Sequence, residues 1–241
     1  MNNLLLSRAR LRRDVPAAAL WRQLAPEDDD RRVQASHRLV WTLFSDAPER
    51  ARDFLWRESE PGTFYFLSRR PPEDRHNLFD LDAPKDFAPE LTAGDVLQFT
   101  LRANATVARK QSVSGGGRSR GKPCDVVMDT LHEVPKGAER AGARPAAVQA
   151  AGRAWLDSRG ARSGFRVVGP SGTDADAGPG ACVTGYRVLR LDDRNEKMRI
   201  GVLDFTGRIL IEDPQRFMEA LAQGFGRAKA FGCGLMLIRR A

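Results

Sequence analysis

The amino-acid sequence predicts an α+β fold built from strand–helix–strand–strand–helix–strand units, and three observations carry that expectation. Apolar residues recur at period two in some segments and near period 3.6 in others, so strands and helices both occur. In the second half of the chain these segments follow the ferredoxin-like order βαββαβ. The chain's 241 residues, 41% hydrophobic and 29% charged, have ordinary globular composition and suffice for one large domain or two small ones.

The elements follow in chain order. Leu4 to Leu11 mixes apolar residues with Ser7, Arg8 and Arg10, as a first strand with one face on a core does. Asp28, Asp29 and Asp30 supply capping oxygens and negative charge for a helix N-terminus, and Val33, Leu39, Val40, Trp41, Leu43 and Phe44 then recur at helical spacing. A second helical piece is expected from Ala47 to Trp56, and a short aromatic strand from Thr63 to Ser68 after Pro61-Gly62. Pro71 to Pro89 is rich in Pro and Asp and takes no assignment. The first half therefore reads strand, helix, strand and then blurs.

A second unit is expected to begin at the Gly94-Asp95 turn, which divides the chain into domains 1–93 and 94–241. Val96 to Asn104 is its first strand. Pro145 to Gly160 reads as a helix closed by glycine, and Gly164 to Val168 as a strand. Gly169 to Gly180 is a small-residue loop. Tyr186 to Leu191 and Met198 to Ile211 are further strands, the second with a bend at Thr206-Gly207. Asp213-Pro214 opens a helix through Ala222, and Leu235 to Ile238 is a last strand after the glycine-rich Gly224 to Gly234.

Charge is the informative part of the composition. Lys plus Arg number 39 against 31 for Asp plus Glu, a net charge of +8 that favours polyanionic partners such as nucleic acid. The three cysteines, Cys124, Cys182 and Cys233, form no CxxC pair, so neither a disulfide framework nor a zinc knuckle is expected. Met1 to Arg8 is too short in apolar residues for a signal peptide, and no stretch approaches a membrane span. The expectation is a cytoplasmic protein with no membrane partner, no cofactor and no bound metal.

Three features can carry chemistry. His37 lies in the register of the apolar stripe of the first helix, at its border, where imidazole is the side chain best suited to proton transfer near neutral pH; a packing histidine is the plainer alternative. Gly224-Phe-Gly-Arg-Ala-Lys-Ala-Phe-Gly-Cys-Gly234 places Gly224, Gly226, Gly232 and Gly234 around Arg227 and Lys229. Such a loop can offer backbone N–H groups and cations to phosphate, or simply make a tight helix-to-strand crossing. Its Gln223 to Ala228 also fits an acyl-CoA-binding pattern, but that pattern opens a helix whereas this loop closes one. The third feature is the cations: Arg102, Arg109, Lys110, Arg118, Arg120 and Lys122 lie in a stretch from Val96 to Cys124 that has no acidic residue, and Arg159, Arg162 and Arg166 follow. Guanidinium forks match phosphate geometry.

As a set, these residues resemble a known family. His37-Arg38-x-x-Trp41-x-Leu43-Phe44, Asp53-Phe54-Leu55-Trp56-Arg57, Leu101-Arg102-Ala103-Asn104 and the terminal Gly224-x-Gly-x-Ala-Lys229-x-x-Gly-Cys-Gly234 are similar to motifs of the CasE family. Its members are CRISPR-RNA-processing endoribonucleases of Cascade, within the repeat-associated (RAMP) superfamily. The resemblance covers nearly the whole chain in the right order. It implies two tandem ferredoxin-like domains, the N-terminal one less regular, with CRISPR repeat hairpin RNA and other Cascade subunits as partners. It also implies a metal-independent cut at the base of the hairpin, in which the ribose 2′-OH attacks the adjacent phosphate to leave a 2′,3′-cyclic phosphate and a 5′-OH.

His37 matches the family's catalytic histidine. Cyclisation removes a proton from the 2′-OH and gives one to the leaving 5′-oxygen, and the sequence leaves open which end an imidazole here serves. Family members carry a tyrosine three residues earlier, where this chain has Gln34; an amide is neither acid nor base but can donate a hydrogen bond to phosphate. Ser36 and Arg38 are the neighbouring candidates for the missing helper. The resemblance places Arg162 and Arg166 in an arginine-bearing hairpin that enters the RNA major groove, and Lys229 in the glycine loop. An inactive hairpin-binding subunit of the same fold is the alternative, with Gln34 marking lost catalysis.

Overall fold

A computed structural model describes residues 4–14, 17–45, 51–109, 121–169, 181–193 and 196–241. The first strand, β1 (Leu5–Leu11), buries Ser7, Ala9 and Leu11 on one face as its alternation predicts. After α1 (Ala17–Leu24), helix α2 (Asp29–Thr42) starts where the aspartates predict, with Asp28 as N-cap accepting the Arg31 N–H at 2.9 Å. Its Leu39 and Val40, with Leu43 and Phe44 just beyond, pack on Phe54, Trp56, Phe64 and Phe66.

The expected helix from Ala47 to Trp56 is corrected in its described part: β2 (Phe54–Glu60) is a strand. Phe54, Leu55 and Trp56 are buried in succession because both faces of β2 are covered, which erases the alternation that marks a strand. Strand β3 (Thr63–Ser68) is as expected, and the unassigned Pro- and Asp-rich region supplies the short β4 (Phe79–Leu81) and β5 (Lys85–Asp86). The sheet order is β2-β3-β1-β4 with β5 also on β1, every pair antiparallel. This is the ferredoxin-like order with β4 and β5 sharing the last position, and residues 69–78 contain no helix where the regular motif has one.

The second sheet contains β6 (Val96–Ala103), β9 (Phe165–Val168), β10 (Ala181–Asp193), β11 (Glu196–Ile211) and β12 (Met236–Arg240). Its order is β10-β11-β6-β12, and β9 pairs with the end of β11 on the same side as β10. The motif's second strand is thus split into β9 and β10, and the ferredoxin-like order is otherwise complete. Thr206-Gly207 makes no bend in β11: Gly207 pairs with Ala181 on one side and Phe99 on the other.

Two helices cover this sheet. The first, α4, spans Ala138–Ser163, longer than the expected Pro145 to Gly160. Gly160 lies inside the helix, where close packing requires a glycine because a Cβ would lie 2.5 Å from the Phe165 carbonyl oxygen, and Gly164, at φ 73°, caps the helix instead. The second, α5 (Pro214–Gln223), is N-capped by Asp213 as the sequence predicts. A ribbon of β7 (Thr106–Arg109) and β8 (Lys122–Asp125) and the short α3 (Val126–Thr130) lie between β6 and α4. Asp125 fastens this insertion, accepting the N–H groups of Val127 and Met128 at 2.9 Å and the Tyr186 hydroxyl at 3.2 Å.

The sheets meet through side chains that β2, α2 and the glycine loop share. Leu55 and Leu67 pack with Leu235, while Val33 packs with Leu189, Leu191, Ile200, Val202 and Cys233. Polar contacts add direction: Arg187 donates to Asp29 at 3.1 Å and the Arg190 N–H to Asp30 at 3.0 Å, pinning the β10–β11 hairpin to the start of α2.

Candidate functional site

His37 sits at the junction of α2, β2 and the loop between α5 and β12. Its Nδ1 lies 2.7 Å from the Ala230 carbonyl oxygen, and its ring centroid is 5.2 Å from that of Phe231. The Trp56 indole N–H donates to the same carbonyl at 3.2 Å. A carbonyl only accepts, so Nδ1 carries the proton, and in the neutral ring Nε2 holds the free lone pair. The arrangement leaves one defined ring nitrogen for chemistry.

The glycine loop holds that carbonyl in place. Gly224, Gly226, Gly232 and Gly234 all have φ between 73° and 98°, and Ala228 joins them at 53°. Added Cβ atoms would meet Leu55 at 2.8 Å from Gly224, the Asn104 carbonyl oxygen at 2.7 Å from Gly226 and the Trp56 ring at 3.0 Å from Gly232. Several of the loop's N–H groups bond inside the protein: Phe225 donates to the Gly234 carbonyl, Arg227 to that of Asn104 and Gly234 to that of Arg102. The glycines have a structural role as well. They allow a tight helix-to-strand crossing that presses Ala228–Phe231 against α2, and Leu101-Arg102-Ala103-Asn104 is the strand end it docks on.

The neighbours of His37 separate. Gln34 is half-buried one turn earlier on the same helix, and Arg38 is exposed. Ser36 is 1% exposed and donates to Glu58 at 3.2 Å, so it faces the interior and cannot reach a substrate; it is withdrawn as a helper. Glu58 also accepts the Gly62 N–H at 2.9 Å. Burial raises its carboxyl above the ordinary range, against the pull of the Gly62 N–H, Arg32 and Ser36.

The expected cations divide in the same way. Arg102 makes a forked ion pair with Asp204, at 2.8 and 3.3 Å, that ties β6 to β11; Arg109 pairs with Asp129, and Arg166 with Glu212 at 3.4 Å. These three are engaged within the protein. Arg159 and Arg162 lie on the last turns of α4 and Arg166 on β9, not on one arginine-bearing hairpin, which corrects that placement. Lys122 is exposed on β8. Lys229 is half-buried, and burial, then Arg52 and Arg159, lower its pKa. Lys110, Arg118, Arg120 and the loops around Gly116 and Gly172 lie outside the described residues.

Sequence reasoning missed Ala230, whose contribution is a backbone oxygen, and the cations Arg144, Arg187, Arg190 and Arg199 that line a groove beside Tyr186. Arg187, Arg190 and Arg199 lie on the β10–β11 hairpin and Arg144 on α4. Cys233 is 0% exposed, and burial pushes its thiol up to about 12, so it is no nucleophile. No helix among the described residues is long and apolar enough to cross a membrane.

The family described as CRISPR associated protein matches residues 4–240. The chain is 27% identical over 161 residues to the CRISPR-associated endoribonuclease Cse3 of Thermus thermophilus, covering 64% of this chain and 61% of that protein. It is 25% identical over 213 residues to the CRISPR system Cascade subunit CasE of Escherichia coli, covering 83% of this chain and 88% of that protein. A solved structure of Thermus thermophilus Cse3, bound to an RNA representing a pre-cleavage complex, superposes with a TM-score of 0.64 at 25% identity over 98% of this chain and 99% of that one.

Proposed function

Because the chain belongs to the CRISPR-associated protein family, we propose that it is an endoribonuclease that matures CRISPR RNA. It cuts precursor RNA within the repeat, at the base of the hairpin, and keeps the product as a subunit of Cascade in the cytoplasm. Residues 1–93 form the domain carrying the catalytic histidine and residues 94–241 the domain that holds it in place. The observation that carries the reading is the bond from His37 Nδ1 to the Ala230 carbonyl, 2.7 Å, which fixes an imidazole with a single free nitrogen between the domains.

In this mechanism the 2′-oxygen forms a bond to the neighbouring phosphorus while the bond to the 5′-oxygen breaks. The 2′-OH proton is lost, the leaving 5′-oxygen gains one, and the products are a 2′,3′-cyclic phosphate and a 5′-OH. His37 Nε2 accepts the first proton when the ring is neutral or supplies the second when it is charged. Hydrogen-bonding Nδ1 to a carbonyl suits both states, since Nδ1–H is a donor in each. Gln34 contributes an amide that donates to the phosphate, and no step is routed through a metal. Arg38, Lys122, Arg159, Arg162, Arg227 and Lys229 supply the cations for the RNA backbone.

The test is product analysis on the host's own repeat hairpin in EDTA, with a matched substrate carrying a 2′-deoxy residue at the cut site. Cyclic-phosphate ends from the natural RNA and no cut in the deoxy substrate are expected. Cleavage of the deoxy substrate, or dependence on added metal, overturns the mechanism. Gln34 in place of the family tyrosine favours one second reading, a subunit that binds the hairpin without cutting it; tight binding with both substrates intact would establish that.

A further inference from the structure

A groove of about 590 Å³ runs between α4, α3 and the β7–β8 ribbon, and the glycine loop closes its end with Arg227. Its floor is one stripe of α4: Ala151, Ala154, Trp155, Ser158, Arg159 and Arg162, spaced as successive turns require. Small residues at one end leave room, and cations crowd the other. Val107 and Pro123 of the ribbon make an apolar wall opposite. Among the described residues that line the groove the one acid, Asp129, is paired with Arg109, so their balance of charge is positive.

Two hydrogen-bond donors beside this wall have no protein partner among the described residues. Trp155 is 5% exposed and its indole N–H has no partner; Arg159 Nε is likewise sealed from solvent and unpartnered. Buried indole and guanidinium N–H groups are almost always bonded, so two without a protein partner beside one concave site favour an acceptor there. The Arg159 guanidinium lies 5.5 Å from the Trp155 ring centroid, and its pKa is lowered by burial and then by Arg162. An anion entering the groove relieves that repulsion. Cations at one end beside an apolar wall match a nucleotide, phosphate toward the arginines and base toward the ribbon.

We propose that this groove binds a single-stranded nucleotide flanking the RNA hairpin, with its phosphate between Arg159, Arg162 and Arg227 and its base against Val107 and Pro123. The nucleotide is unpaired because a base within a duplex cannot turn its face to such a wall. Arg227 belongs to the same loop that offers the Ala230 carbonyl to His37, so the groove would anchor RNA within a few residues of the reacting centre. This inference rests on the RNA-processing reading.

The experiment compares affinities for three RNAs: the hairpin stem alone, the stem with two unpaired nucleotides on its 5′ side, and the stem with two on its 3′ side. Wild type, Arg162→Ala and Trp155→Phe are measured at one salt concentration. Arg162 is exposed and, among the described residues, bonds to Ser158 of its own helix alone, so its replacement is expected to leave the fold intact, and thermal melts verify this for both variants. Wild type is expected to bind one flanked RNA about tenfold more tightly than the bare stem, as one charge-assisted contact provides, and each variant to lose most of that ratio. The arm with the advantage identifies the side. A flank that adds nothing in wild type, or a ratio that both variants keep, overturns the groove assignment while RNA binding stands. Failure of wild type to bind any of the three overturns the RNA reading itself.

Discussion

His37 owes its setting to a backbone oxygen 193 positions away, so its position on a helix was legible in the sequence and its partner was not. Side-chain spacing places a residue on a face; it carries no record of which carbonyl a distant loop will present. Ser36 illustrates the reverse case, a neighbour in sequence that the helix turns into the interior toward Glu58. Glu58 yields a test with a definite sign. Its folded-state pKa is raised by burial, so its contribution to stability is complete at pH values below its ordinary 4.5 and is lost as pH rises through the folded value. Glu58→Gln keeps the shape without the buried charge. Thermal melts should find the variant equal to wild type in acid and more stable at pH 7, and a variant less stable at pH 7 would mean that the charge itself is needed there.

Among the elements, the glycine loop between α5 and β12 is the positioning device. Gly232→Ala puts a Cβ 3.0 Å from the Trp56 ring at a φ of 73°, a strain of about 1–3 kcal/mol that the loop can relieve only by moving off α2. Cleavage should fall more than hairpin affinity, measured by single-turnover rates beside equilibrium binding. Equal losses in both would assign the loop to RNA contact instead. The regular elements were legible where one face is buried: β1, α2, β3, β6 and α5 stand where alternation, caps and turns predict. Strand β2 was misread because burial on both faces leaves no period to read. The start of β10 was missed because Ala181 to Gly185 is small-residue chain with a register shift between Val183 and Gly185. Helix α4 outran its expected end because Gly160 serves close packing on Phe165 and Gly164 does the capping.

At the scale of the whole molecule, two ferredoxin-like sheets are joined by the site itself. Val33 of α2 packs with Cys233 of the loop and Leu189 of the hairpin, and Asp29 and Asp30 pin that hairpin, so motion between the sheets would move His37 relative to its carbonyl. The net charge of +8 acts at this scale as well. Several cations that the sequence offered to RNA are paired internally, and the others among the described residues lie along α2, α4, β8 and the loop. Binding of the repeat hairpin should weaken about tenfold or more between 50 and 200 mM salt, because neutralised phosphates release counterions; a flat response in a salt titration would remove the backbone as the main contact. Metal-independent RNA cleavage by a carbonyl-anchored His37 is tested by single-turnover cleavage of the host repeat in EDTA, wild type against His37→Ala. Loss of about 10²-fold or more in rate with hairpin affinity kept is expected; a variant that cuts at the wild-type rate would exclude His37 from the chemistry.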